Sequence, residues 1–227
     1  YTTILRSDDV ELGCGATLAK EINLGKKVGI LDLTKGELGT RGSSEIREKE
    51  AKDAAKILNV EVRENLGVAD GFFKNDKTNQ LKIIKIIRKY KPEIVLCNAV
   101  DDRHIDHSKG SKLVSDACFL SGLIKIETNL DNELQEAWRP KHVYHYIQWK
   151  NIEPDFVVDV SGFIDIKIKS VKAYKSQFYN PESKEPISPI TSKNFLDSIE
   201  YRAKDFGRII GVDRKSTRLN SVTWPSR

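Results

Sequence analysis

Two short stretches of the chain concentrate groups able to bind a cation and move a proton. Near the start, Leu5-Arg6-Ser7-Asp8-Asp9-Val10-Glu11-Leu12-Gly13-Cys14-Gly15 sets two adjacent carboxylates, and a third acid two residues on, beside an arginine and a small-residue turn. Further along, Val100-Asp101-Asp102-Arg103-His104-Ile105-Asp106-His107 holds two of the four histidines, three residues apart and flanked by acids. Imidazole nitrogen is a common metal ligand, and a carboxylate on its second nitrogen fixes the tautomer. Carboxylate oxygen with imidazole nitrogen makes a zinc-type donor set, and a catalytic zinc keeps one position for water. Adjacent aspartates can divide the labour, one on the metal and one taking a proton from the attacking water. Taken alone, Asp8-Asp9 reads as a solvated turn. The His104–His107 stretch supplies the nitrogen partners that make it half of a site.

Those stretches need elements that bring them together. Lys27-Val28-Gly29-Ile30-Leu31-Asp32-Leu33 is an apolar run of strand length. Ser44 to Leu58, with Ile46, Ala51, Ala54, Ala55 and Leu58, predicts a serine-capped helix. Val60 to Val62 predicts a short strand. Leu81, Ile84, Ile87 and Tyr90 predict an amphipathic helix from Asn79 to Tyr90, stopped by Pro92, with Glu93 to Asn98 as the next strand. A helix is expected over about 107–123, strands over 141–148 and 156–160, and a further helix within 160–177. This alternation builds a parallel sheet covered on both faces. The expected fold class is α/β, a Rossmann-like three-layer sandwich with a mostly parallel sheet and its site at the carboxyl ends of the strands. The loops at 6–11, 34–44, 66–78 and 99–108 then share one edge, and the first and last carry the acids and histidines.

Composition narrows the function classes. The 227 residues, 39% hydrophobic and 31% charged, suit one soluble domain, expected over 1–212. No apolar run reaches membrane length, and no signal-peptide pattern is visible. The net charge of +5 spreads over helical faces such as Lys82, Lys85, Lys89 and Lys91 with no aromatic platform. Neither a membrane nor a nucleic acid is therefore expected as partner. Cys14, Cys97 and Cys118 form no CxxC pair and read as reduced, buried thiols of a cytoplasmic protein. Gly13-Cys14-Gly15 lacks the third glycine of a dinucleotide fingerprint, where Leu18 stands. No P-loop or GxSxG elbow occurs. Residues 213–227 are polar and aperiodic, which predicts a tail without strand or helix, read either as a disordered terminus or as non-native cloning text. Methionine is absent, which leaves open a truncated or altered first strand.

SDDVELGCGATLA resembles the A-H-P-D-D-x-E-x-G-x-G-G opening of the LmbE/PIG-L zinc deacetylases, and RHIDHSKG resembles their R-H-x-D-H block. TKGELGTRGSSEIREKEAKDAAKILNV, ENLGVADGFF, VKAYKSQF and YRAKDFGRIIGV are similar to further segments, so the resemblance runs over roughly residues 8–212. It is strongest toward the bacillithiol-biosynthesis deacetylases, whose substrate is N-acetylglucosaminyl malate. The resemblance implies hydrolysis of the N-acetyl amide of an N-acetylglucosaminide. It also implies Zn2+ or another divalent metal as cofactor, a small glycoside as partner, and a homo-oligomer. It assigns Asp9 and His107 to the metal and Asp8 as the base that deprotonates the attacking water. His104, oriented by Asp106, would stabilise the oxyanion. Arg41 and Arg47 are candidates for the substrate's carboxylates, with a surface role near a helix start as the other reading. Tyr144, His145 and Tyr146 either border the pocket or lie on a strand. One departure stands out: Arg6 occupies the place of the family's first histidine ligand, and Ser7 that of its proline. Arginine stays protonated and has no lone pair for a metal. The alternative is then a catalytically impaired relative that binds a sugar without hydrolysing it.

Overall fold

The computed structural model describes residues 2–5, 8–209, 211 and 216–222, with side chains described for 8–208 and 211. Arg6 and Ser7 lie outside the described residues. The chain runs β1 (Thr2–Leu5), α1 (Asp9–Asn23), β2 (Gly29–Asp32), α2 (Ser44–Leu58), β3 (Val62–Asn65), α3 (Lys77–Tyr90), β4 (Ile94–Cys97) and α4 (Ile105–Leu120). It continues through the short hairpin β5 (Asn129–Leu130) and β6 (Glu133–Leu134), then β7 (His142–Tyr146), β8 (Phe156–Asp159), α5 (Ile164–Lys172), α6 (Lys193–Ile209) and β9 (Ser216–Val222).

The main sheet has the order β3-β2-β1-β4-β7-β9-β8. The five strands from β3 to β7 are parallel, and β9 is antiparallel to both its neighbours. Period-two alternation sends neighbouring residues to opposite layers. Leu31, Val95, Cys97 and Val143 pack with Ile83, Ile84, Ile87, Leu113 and Val114 of α3 and α4. Ile30, Leu96 and Tyr146 face the other way, onto Val10, Cys14 and Leu18 of α1. Helices α2, α5 and α6 complete that second layer through Ala51, Ala54, Val171, Leu196 and Ile199. The helix ends are set locally. The Ser43 hydroxyl accepts from Ile46 N–H (3.3 Å), and the Asp76 carboxylate accepts from Asn79 N–H (3.0 Å). Asn59 and Lys91 close their helices with positive φ.

The α/β class, the mostly parallel sheet and most element positions agree with the sequence reading. Four details differ. The strand expected at Val60–Val62 starts only at Val62, because Val60 N–H is still donated to Ala55 O in the closing turn of α2. The run Gly13-Cys14-Gly15, read as a turn, lies inside α1. Helix α6 went unread, although Leu196, Ile199, Ala203 and Phe206 recur at helical spacing and are buried. The tail expected to carry no strand holds β9, which fills the slot between β7 and β8. Ladder hydrogen bonds to two partners override its weak intrinsic signal; residues 212–215 and 223–227 lie outside the described residues.

Gly13 in mid-helix has a packing cause. A Cβ there would overlap the fully buried ring of Tyr146, which crosses from β7 onto α1. The close helix–sheet approach offsets the roughly 1 kcal/mol that an interior glycine costs. Gly13→Ala is expected to destabilise the chain by about 1–3 kcal/mol through overpacking, read as a lower urea midpoint with an unchanged slope.

Candidate active site

In the sheet, β1 leads to β2 and β3 on one side and has β4 and β7 on the other. The direction of winding therefore reverses between β1 and β4, and a crevice opens at the carboxyl ends of those two strands. Asp8 and Asp9 follow β1, and the segment from Asn98 to His107 follows β4. Asp8 is the N-cap of α1 with φ 92°, a left-handed conformation uncommon for a residue with a side chain. Asp9 is the first helical residue, where the helix dipole favours negative charge. Both are 6% exposed. Arg47 reaches over from α2, with Nη2 3.5 Å from Asp8 Oδ1 and Nη1 donating to Gly36 O (3.1 Å). Gly36, at φ 68°, leaves the space its guanidinium occupies.

His107 stands in the first turn of α4 between two carboxylates. Its Nε2 is 3.2 Å from Asp9 Oδ2, and its Nδ1 is 3.2 Å from Asp102 Oδ1. Burial opposes its charge, but Asp9 and Asp102 outweigh that and push its pKa up to about 10. Asp102 is itself tied down: Oδ2 accepts from Trp149 N–H (2.8 Å), and Oδ1 accepts from Arg103 N–H (2.6 Å). Burial would raise its pKa, but bonds from His107 and the Trp149 amide hold it well below the usual carboxylate range. Asn98, at the end of β4, donates from Nδ2 to Asp9 Oδ2 (3.1 Å) and to Gln148 Oε1 (3.0 Å). Gln148 Nε2 in turn lies 3.4 Å from His107 Nε2.

His104 caps α4, its Nδ1 accepting from Asp106 N–H at 3.2 Å. In the neutral ring that bond places the proton on Nε2. Asp106 contacts His104 through its backbone N–H. The Asp106 carboxylate accepts from Gly71 N–H (2.8 Å) and lies 3.6 Å from Lys109 Nζ. His145 does not border the pocket; it is buried beneath it. Its Nδ1 lies 2.8 Å from Asn98 O, with the Ser111 hydroxyl at 2.9 Å, and burial lowers its pKa. Tyr146 is likewise buried.

These groups border a cavity of about 360 Å³. Asp8, Asp9, Arg41, Arg47, His104 and His107 all line it. Arg41 does so with its donors committed. Nε donates to Ser176 O (2.6 Å), Nη1 to Pro186 O (3.2 Å), and Nη2 to the Ser183 hydroxyl (2.6 Å). Its guanidinium shapes the wall by pinning the 176–186 segment. Sequence reading passed over Asn98, Asp102 and Gln148. Asp102 was legible as a second acid beside the histidines, but which acid reaches which ring depends on the loop's path.

Asp9 and His107 fit a divalent cation as two of its ligands. Their donor atoms converge, and Asp102 backs the second imidazole nitrogen as outer carboxylates do for metal-bound histidine. Among the described residues no group of three or more His, Cys, Asp or Glu side chains is arranged to hold a metal ion. Without a metal, a proton on His107 balances the two carboxylates. With the folded pKa near 10 and the unfolded one near 6.5, that stabilisation is complete below pH 6.5. It is lost as pH rises to about 10. The metal-free chain is expected to lose on the order of a few kcal/mol of unfolding free energy across that window. Asp102→Asn should flatten the slope, as read by denaturation at a series of pH values.

Residues 7–118 match the family model PIG-L, the GlcNAc-PI de-N-acetylases. The diacetylchitobiose deacetylase of Thermococcus kodakarensis is 28% identical over 181 residues, which are 75% of this chain and 67% of that protein. The uncharacterized deacetylase YaiS of Escherichia coli is 33% identical over 106 residues, 44% of this chain and 57% of that protein. The chain thus spans about half to two thirds of the length of these relatives. The crystal structure of the conserved protein TT1542 from Thermus thermophilus superposes with a TM-score of 0.85 at 33% identity, covering 100% of this chain and 98% of the other. With the paired aspartates and the His104–His107 turn meeting at one crevice, the chain is similar to the PIG-L family over residues 7–118 and shares the fold of TT1542 along its whole length.

Proposed function

We propose that this protein hydrolyses the N-acetyl amide of an N-acetylglucosaminide, with N-acetylglucosaminyl malate of bacillithiol biosynthesis as substrate and a divalent metal, Zn2+ by preference, as cofactor. The observation that carries the reading is the convergence of Asp8, Asp9, His104 and His107 on one cavity of glycoside size. Held by Asp9 and His107, the metal would polarise the acetyl carbonyl and acidify water. Asp8 is placed to take the proton of the attacking water and pass it to the leaving amine, giving acetate and the free glucosamine nitrogen. Arg47, with Nη2 3.5 Å from Asp8 Oδ1, helps to orient that carboxylate. His104 turns an Nε2–H toward the developing oxyanion, because its Nδ1 is already an acceptor. The three buried free thiols support a reducing compartment such as the cytoplasm.

A second reading, sugar binding without turnover, draws on Arg6 at the position of a family histidine and on the two-ligand donor set. Metal analysis with an acetate-release assay on N-acetylglucosaminyl malate separates the two. A hydrolase takes up metal and releases acetate, more of both after Arg6→His, and loses activity to a chelator. A pure binder retains the glycoside without turnover, whichever residue stands at position 6. In the active form, Asp8→Asn should lower kcat by about 10²–10⁴-fold with little change in KM. Asn98→Ala should weaken metal retention by about tenfold or more, because the Asp9 carboxylate loses its orienting donor.

A further inference from the structure

One buried cation lining the cavity has no part in the mechanism above. Lys167 of α5 is 6% exposed and lines the same cavity as Asp8 and His104. Its stem runs past Gly15 of α1, where a Cβ would lie 3.6 Å from Lys167 Cγ. Among the described residues its ammonium makes no hydrogen bond or ion pair. Burial, with repulsion from Arg202, lowers its pKa to about 8, so it remains mostly charged at neutral pH. Packing alone gives no reason for this charge: Ile199, Ala203 and Phe206 line the cavity with it, and Arg202, which lines it too, repels it. A buried, unpartnered ammonium is disfavoured unless something else supplies the anion.

The other cations of the cavity are committed. Arg41 pins the 176–186 segment, Arg47 holds Asp8, and Arg202 donates to the carbonyls of Gln148 and Lys150. Arg103 lies over the Trp149 ring at 4.5 Å. The N-acetylglucosamine ring carries no charge, so an anion entering this cavity belongs to the aglycone.

We propose that Lys167 is a specificity-determining residue that binds a carboxylate on the aglycone of the N-acetylglucosaminide. The inference rests on the glycoside reading above. It goes further in assigning the carboxylate to one amine on α5 rather than to Arg41 or Arg47. A charge-assisted hydrogen bond made in a desolvated wall then selects carboxylated glycosides over neutral ones.

The test is calorimetric titration of the full chain with two ligands, glucosaminyl malate and its uncharged bis-amide. Wild type is expected to prefer the carboxylate. Lys167→Met should weaken carboxylate binding about tenfold to hundredfold and bring the two affinities together. Lys167→Arg should keep most of the preference. Lys167→Met should also unfold at the same temperature as wild type or higher, since it removes a buried charge. Unchanged carboxylate affinity in Lys167→Met overturns the proposal, as does equal loss of both ligands. A markedly lowered unfolding temperature overturns it too, because the lysine would then be structural. Failure of wild type to bind either ligand also overturns it. Selective binding without acetate release from the metal-loaded chain supports Lys167 as the anion reader while overturning the hydrolase reading alone.

Discussion

The candidate site depends on one imidazole held between two carboxylates. His107 lies within 3.2 Å of Asp9 on one ring nitrogen and of Asp102 on the other. Two negative charges enclosed by low-dielectric walls need a positive charge between them, whether proton or metal ion. Everything nearby serves that need. His107 and the Trp149 and His104 amides keep Asp102 ionised, Asn98 aims Asp9, and the start of α1 adds its dipole.

The third acid of the opening stretch has a different task. Glu11 is fully buried and pairs with Arg63 Nη1 at 2.7 Å, while Arg63 also grips both oxygens of Asp32. That cluster ties α1, β2 and β3 together two residues from Asp9. The Tyr174 hydroxyl closes on Glu11 from beyond α5 at 3.4 Å. Arg63 explains why β3 reads poorly as a strand: a charged residue in the sheet is compensated by two acids that lie far away in sequence. The cavity-lining acids and the structural acid of one short stretch thus diverge within a turn of helix.

Periodicity carried most of the fold. Apolar runs in β2 and β4 and the faces of α2 and α3 are local signals, strong enough to place the parallel sheet and the edge at which its loops gather. Asp8, Asp9, His104 and His107 were legible because chemistry needs those residue types. What stayed hidden was non-local. Gly13 reads as a turn until the Tyr146 ring is seen against it. Arg41 reads as a ligand-binding group until three acceptors from 176–186 are counted around it. The backbone path, not the spacing, decides which acid meets which imidazole: Asp102 faces His107 with its carboxylate, and Asp106 meets His104 with its amide. Strand β9 depends on two partners for its existence.

Arg202 gives this arrangement a long-range side. From α6 it holds the carbonyl of Gln148, whose side chain touches both Asn98 and His107. The polar frame around His107 is therefore braced by a helix far from both acid-bearing loops in sequence. Loosening α6 would be felt at His107 without any change in the loops that carry the acids and the imidazole.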